Sequence, residues 1–383
     1  METVTHEGAS IAYRVDGPPS APALLLANSL GTTTAVWDDQ IDAWSQRFRV
    51  VRYDHRGHGG SSATPGPYTI ELLGQDALAV LNDAGIETAS VCGLSLGGAV
   101  AMWVAAHHPG RVERLVVCTS APRFDPPEQW AQRAALVRAE GVVTLLDALM
   151  GRWFTPGLND PAGLVRSRVR AMLEAIDAEG YAGCCEALGA LDLTEALGAI
   201  EAPTLVLAGG QDPVVPHEVT YALTEGIKGS SLVVLSDAAH LATIEQPARV
   251  TEAVLMHFLG PPAELGNRVR RRVLGDEHVD RAALAQTEAT AGFQDLVGRV
   301  AWGEIWTRPG LDSRTRSCIT VAMLIALGRW EELEMHIVGA ERNGLTRAEI
   351  SEVLLQSAIY CGFPAANTAF AVARRVFEAR DDG

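Results

Sequence analysis

The stretch Val91-Cys92-Gly93-Leu94-Ser95-Leu96-Gly97-Gly98 joins an apolar run to a helix-forming one, Ala99 to His107, through a Gly-x-Ser-x-Gly turn. A strand that becomes a helix within so few residues forces the middle residue into a strained backbone conformation, and Gly93 and Gly97 let neighbouring chain pass close by. Such a nucleophile elbow leaves the Ser95 hydroxyl exposed. It also brings the Leu96 amide and the positive end of the helix dipole toward any oxyanion formed there. Ser95 is therefore the candidate nucleophile, and the rest of the chain is read outward from it.

Upstream, Ala23-Leu24-Leu25-Leu26-Ala27 is a short continuous apolar run, as expected of a strand buried on both faces of a parallel sheet. The loop behind it, Asn28-Ser29-Leu30-Gly31, is where the second oxyanion donor belongs, which points to the Leu30 amide paired with that of Leu96. Phe48 to Tyr53 reads as the next strand and runs into the polar, glycine-rich Asp54 to Ser62. His55 and His58 in that turn have no carboxylate or cysteine at metal-ligand spacing, so they are read as structural hydrogen-bonding residues and no metal site is expected. A helix over about Ile70 to Ala84, a strand Ala89 to Cys92, the elbow helix and a strand Leu115 to Cys118 then alternate, which means a parallel sheet wrapped by helices.

From about 123 to 198 the strand signals stop and helical periodicity takes over. An all-helical insertion here forms a lid over the serine, with Trp130 and Arg133 the first candidates to line a pocket for a small carboxylate. A solvated place on a helix face fits Arg133 equally well. Sheet character returns at Pro203 to Ala208 and ends in Gly209-Gly210-Gln211-Asp212, an acid at a strand's carboxyl end. Ser231 to Leu235 then leads to His240 on the loop after the last strand. The order Ser95, Asp212, His240 is the one an elbow site on this kind of sheet requires. His240 would take the Ser95 proton while Asp212 holds its tautomer; Asp237, on the histidine's own loop, is read as structural.

With 383 residues the chain has room for two domains. Its formal charge of −16 argues against a nucleic-acid partner, and no apolar run approaches the roughly 20 residues of a membrane span. The charge is uneven: 16 basic against 31 acidic residues up to position 265, and 15 against 16 after it. Lys228 is the single lysine, so arginines must do nearly all the cationic work. No basic, apolar leader opens the chain and the six cysteines form no C-x-x-C pair, so a reducing, cytoplasmic setting is expected.

Leu259-Gly260-Pro261-Pro262 breaks regularity and divides the chain into 1–260, a linker 261–265, and 266–383. Beyond the linker no strand pattern recurs. Helices are expected over Arg316 to His336, Arg347 to Tyr360 and Ala365 to Ala379, the second opened by a capping box of Thr346 and Glu349. Glu332 and His336, four apart, share a helix face, and a carboxylate there favours a protonated imidazole able to act as an acid. A surface Glu/His pair is the plain alternative.

Two family resemblances rest on these residues. Asn28-Ser29-Leu30-Gly31-Thr32, Trp37-Asp38, Asp54-His55-Arg56-Gly57-His58-Gly59 and Gly93-Leu94-Ser95-Leu96-Gly97-Gly98 make residues 1 to about 260 resemble an α/β-hydrolase with a helical cap, more narrowly the 3-oxoadipate enol-lactonases. Trp302-Gly303-Glu304-Ile305-Trp306-Thr307-Arg308-Pro309-Gly310-Leu311, Arg329-Trp330-Glu331-Glu332 with His336, Asn343-Gly344-Leu345-Thr346 and Tyr360-Cys361-Gly362-Phe363-Pro364-Ala365-Ala366-Asn367 make the remainder resemble 4-carboxymuconolactone decarboxylase, an all-α domain. That family is similar to peroxidase-like helical domains with C-x-x-C before the histidine; here Arg329 and Glu332 stand in the cysteine places, so thiol redox chemistry is not expected. The resemblances imply consecutive steps of protocatechuate breakdown, decarboxylation and then lactone opening; the conjugated lactone carbonyl can take the electrons, so no cofactor is expected, and residue type and helical spacing make His336 the proton donor, with Arg308 and Arg316 on the anionic groups. The expected ligands are small lactone carboxylates, and the helical domain is expected to build a homo-oligomer. A general serine esterase or cofactor-free peroxidase carrying a helical oligomerisation module is the competing reading.

Overall fold

The computed structural model describes residues 1–124, 126–158, 163–260, 262–308 and 311–381. Two compact units divide at Phe258 and Leu259.

The first unit is built on one eight-stranded sheet: β1 (Glu2–His6), β2 (Ala9–Asp16), β3 (Ala23–Ala27), β4 (Arg49–Tyr53), β5 (Ala89–Leu94), β6 (Val112–Cys118), β7 (Thr204–Gly209) and β8 (Ser231–Leu235). Their spatial order is β1-β2-β4-β3-β5-β6-β7-β8. β4 to β8 pair in parallel through β3, while β1 and β2 add an antiparallel hairpin at one edge. Every residue of β5 and of β7 is buried, so these strands read as unbroken apolar runs with no alternation. The hairpin is absent from the sequence reading. Its signal was present: Glu7 and Gly8 both take positive φ, the two-residue turn that suits a tight hairpin, between segments that alternate weakly because β1 lies half in solvent.

The helix Leu96–His107 is buried on all sides as far as Ala105, which is why its apolar residues show almost no preferred face. Between β6 and β7 the chain forms the expected helical insertion, with helices Pro127–Glu140, Leu146–Trp153, Leu164–Glu174 and Ala178–Gly189. A buried ion pair steadies the turn after β4: Arg56 reaches Asp76 through Nε at 2.7 Å and Nη2 at 2.6 Å, and both side chains are almost wholly out of water.

The second unit is all helix among its described residues. Its helices are Pro262–Leu274, Asp276–Leu284, Glu288–Leu296, Ser313–Ala326, Trp330–Arg342, Arg347–Cys361 and Phe363–Asp381, with a π-helical stretch Val297–Ile305 between the third and fourth. Two expectations are corrected. Residues Pro262 onward are helical where a linker over 261–265 was expected, since proline is welcome in the first helical turn; Pro261 itself lies outside the described residues. The single helix expected over Arg316 to His336 is two, separated at Leu327-Gly328-Arg329, where Gly328 takes φ +64°. The capping box at Thr346 and Glu349 is present in both directions. The core is a cluster around Val321, Ile325, Leu333, Ile337, Leu354 and Val372, and a smaller one joins Val269, Val273 and Leu274 to Trp302.

Candidate active site

At the carboxyl end of β5 the backbone of Ser95 sits at φ 53°, ψ −112°, a strained conformation for a residue with a side chain. The glycines explain how the turn is tolerated: a Cβ at Gly97 would lie 2.0 Å from the Ala27 carbonyl oxygen, and one at Gly93 2.1 Å from that of Gly97. The strain is held from several sides. The Ser95 amide donates to the Cys118 carbonyl at 2.9 Å, the Gly97 amide to that of Asn28 at 2.9 Å, and the Ser120 hydroxyl to the Ser95 carbonyl at 2.7 Å.

The side chains expected to converge do so. Ser95 Oγ donates to His240 Nε2 at 2.8 Å, and His240 Nδ1 donates to Asp212 Oδ2 at 2.8 Å. The other Asp212 oxygen accepts from the amides of Val214 and Val215, so the carboxylate is fully engaged and buried. Those partners place the imidazole proton on Nδ1 and leave Nε2 as the acceptor, the state a base needs. The histidine loop is pinned by the Thr119 hydroxyl on the His240 carbonyl at 2.9 Å. Glu245 then ties this loop to the cap, accepting from the amides of Ala239 and Thr155. Asp237, the competing acid, offers its main-chain carbonyl to Gln246.

The amides of Leu30 and Leu96 have no acceptor among the described residues, and Leu30 borders the cleft beside Ser95. His55 and His58 turn out to hold that loop. His55 Nε2 donates to the Asn28 carbonyl at 2.9 Å; His58 Nδ1 donates to the Arg56 carbonyl, leaving Nε2 to accept from the Gly31 amide at 3.3 Å. Burial, with the mutual repulsion of the pair at His55, lowers their pKa values to about 3 and about 4, so both are neutral at physiological pH as this bonding demands. Trp37 adds its Nε1 on the Asn28 side chain at 2.8 Å.

The cap overhangs a cleft at Ser95 with about 640 Å³ of empty space, part of it open to solvent, bordered by Trp130, Arg133, Arg152, Trp153 and Tyr181. Arg133 stacks on Trp130, its guanidinium carbon 4.9 Å from the ring centre, so both residues expected in the cap face the site. Arg152 escaped the sequence reading, since nothing in its neighbourhood distinguishes it from other helix arginines. Burial, and then the positive charge of Arg133, pull its pKa down. Neither guanidinium has a carboxylate within ion-pair distance among the described residues: two positive charges share a partly desolvated cleft, with Asp212 the nearby negative charge felt by Arg152.

In the second unit His336 stacks parallel to Trp302 and Trp306, each 6.4 Å away, and these indoles stack on each other at 5.0 Å. Glu332 does not hydrogen-bond to it among the described residues. Burial and the neighbouring His278 lower the His336 pKa to about 4, and the pull of Glu332 in the other direction is the weakest of the three influences. The expectation that Glu332 charges the imidazole is therefore corrected: desolvation wins, because the glutamate is exposed and screened. Arg308 is exposed, and Arg316 spends its guanidinium on the carbonyls of Arg308 and Leu311, closing a loop. Pro309 and Gly310 of the same stretch lie outside the described residues.

Residues 22–247 match the model of the alpha/beta hydrolase fold, and residues 291–375 that of the carboxymuconolactone decarboxylase family. Over 260 residues, 67% of this chain and 97% of the relative, the chain is 38% identical to 3-oxoadipate enol-lactonase 2 of Acinetobacter baylyi. Over 113 others, 30% of this chain and 84% of the relative, it is 44% identical to the 4-carboxymuconolactone decarboxylase of the same organism. The crystal structure of the enol-lactonase from Burkholderia xenovorans LB400 superposes with a TM-score of 0.65 at 39% identity, covering 67% of this chain and 99% of that one. With the serine elbow, the histidine and the acid assembled under a helical cap, and an all-helical unit behind them in the chain, the protein belongs to the α/β-hydrolase family and, over its C-terminal part, to the carboxymuconolactone decarboxylase family.

Proposed function

We propose that the chain is a bifunctional enzyme of protocatechuate breakdown, its C-terminal unit turning 4-carboxymuconolactone into 3-oxoadipate enol-lactone and its N-terminal unit opening that lactone to 3-oxoadipate. The observation that carries the hydrolytic half is the pair of unneutralised guanidiniums, Arg133 and Arg152, in the cleft that holds Ser95 and His240. A neutral ester has no use for two half-buried positive charges, whereas a lactone bearing a carboxylate supplies a counter-ion within reach of both.

His240 takes the proton of Ser95 as its oxygen attacks the lactone carbonyl, and the oxyanion forms against the amides of Leu30 and Leu96. Collapse breaks the ring C–O bond and the enolate oxygen leaves with the proton from His240, giving an acyl-enzyme whose new enol becomes the ketone. Water activated by the same imidazole then frees Ser95.

In the other half the bond from ring carbon to carboxylate breaks and its electron pair passes through the conjugated C=C toward the lactone carbonyl, so CO2 departs without a cofactor as electron sink. A proton must then reach the far carbon. His336 is neutral in the empty protein, and the negative charge that would raise its proton affinity is the dianionic substrate itself. We also propose that this unit builds a homo-oligomer. Exposed large apolar side chains concentrate in it, among them Leu284, Met323, Leu327, Ile359, Tyr360 and Phe363, which is what a surface awaiting other copies looks like.

The test supplies 4-carboxymuconolactone to the purified chain and follows CO2 and 3-oxoadipate together. Both should appear in equal amounts. CO2 without 3-oxoadipate would leave the cleft's substrate unidentified; neither product, with hydrolysis of neutral esters intact, would favour a general esterase.

A further inference from the structure

Arg270 lies on the helix Pro262–Leu274 with its guanidinium partly desolvated, which lowers its pKa. Its Nη1 donates to the Gln294 side-chain oxygen at 3.3 Å, its Nε is buried with no acceptor, and no carboxylate comes within ion-pair distance among the described residues. The group borders a cavity with about 760 Å³ of empty space, part of it open to solvent. The cavity's polar wall is Asn267, Gln286 and Gln294, and alanines of the neighbouring helices leave it wide. Asp295 also borders it, but that carboxylate is bonded to Arg299 at 2.8 Å.

Leaving a partly desolvated arginine without an anion costs stability, and a ligand that supplies one removes that cost. The surroundings name the chemistry of what enters: one guanidinium and three carboxamides suit a single carboxylate arm of a small molecule. Position ties the cavity to the chemistry. The π-helical stretch Val297–Ile305 borders it at Gly298 and, about one turn on, carries Trp302, the indole stacked on His336. His278, on the helix Asp276–Leu284, lies within electrostatic reach of both Arg270 and His336.

We propose that this cavity holds the carboxylate that the C-terminal unit's substrate keeps, with Arg270 as its counter-ion. The inference rests on the decarboxylase reading and deepens it. The choice between the substrate's two carboxylates follows from energetics. An ion pair to the departing group would stabilise the ground state and vanish as CO2 forms, raising the barrier; one to the retained arm persists unchanged through the transition state and only tightens binding. Arg270, and neither Arg308 nor Arg316, is then the specificity residue for that arm.

The experiment measures CO2 release by the full chain. Arg270→Gln should raise KM about 10-fold or more while kcat moves less than about threefold, and Arg270→Lys should recover part of the loss. An unchanged thermal midpoint keeps the variant interpretable. In parallel, glutarate is titrated calorimetrically into an Arg133→Gln/Arg152→Gln chain, with and without Arg270→Gln, so that the hydrolase cleft is silenced. Glutarate binding that needs Arg270 supports the site even should the wild type release no CO2, in which case the decarboxylase reading alone fails. An unchanged KM, a loss confined to kcat, or glutarate binding indifferent to Arg270 overturns the proposal.

Discussion

Ser95 and His336 are held in place by different physics. Ser95 stands on a strained turn clamped between two strands and a buried helix, and its partners arrive from strand ends a hundred residues and more away. His336 sits on an ordinary helix, placed by stacking on two indoles and tuned by burial. The first site is complete within one chain and overhung by its own cap. In the second unit the apolar surface that would shelter a site remains exposed, and the unpaired arginine faces an open cavity. A backbone-built site is thus independent of assembly, whereas a site made from helix faces borrows its enclosure from whatever those faces meet.

The largest effect that probes this contrast is Ser95→Ala. Enol-lactone hydrolysis should fall by roughly 10⁴-fold or more while CO2 release continues at its former rate. Product analysis would then show enol-lactone accumulating. Parallel loss of both activities would break the claim that the two sites are independent. Next, Arg152→Gln should raise KM for the carboxylate-bearing lactone by about 10-fold or more and leave a neutral ester unaffected, because only the charged substrate neutralises the guanidinium pair. Equal losses on both substrates would assign Arg152 to packing.

A smaller effect is expected at His58, which touches no substrate but orients the loop carrying the Leu30 amide. His58→Ala should lower kcat by about 10-fold with little change in KM, since a misplaced oxyanion donor is felt in the transition state. A pure KM effect would mean the loop shapes the cleft instead. The remaining effect is read in acid stability, not in activity. His55 and His58 have folded pKa values of about 3 and about 4, below the unfolded value, so the unfolded chain takes up protons first. Their contribution is intact above about pH 6.5 and is lost on acidification, at about 1.4 kcal/mol per pH unit for each histidine until the folded pKa is reached. Urea midpoints between pH 6.5 and 5 should fall, and less steeply in His58→Asn; a slope unchanged by that substitution would remove His58 from the account.

How much of this was legible beforehand differs between the units. The turn Gly93 to Gly97 carried its geometry in its residue types, and the apolar runs of β3, β5 and β7 announced buried parallel strands. The edge hairpin escaped because a half-solvated strand alternates weakly. In the second unit apolar periodicity continues across the break at Gly328 and hides it, and the helices from Asp276 to Leu296 carry little apolar signal because only Val279 of their residues is buried in the isolated chain. The charge state of His336 was hidden for the same reason: spacing on a helix says which side chains are neighbours and nothing about how much water surrounds them.

By itself the sequence determined the sheet's parallel core, the chemical identity of Ser95, Asp212 and His240 with their order, and the all-helical character of the C-terminal unit, because these depend on local conformational preference and on apolar pattern. Tertiary structure alone decided that Arg152 joins Arg133, that His55 and His58 hold the Leu30 loop, that His336 is neutral and that Arg270 meets no carboxylate among the described residues. Each of those depends on desolvation and on partners distant in the chain, and both come into being only when the chain folds.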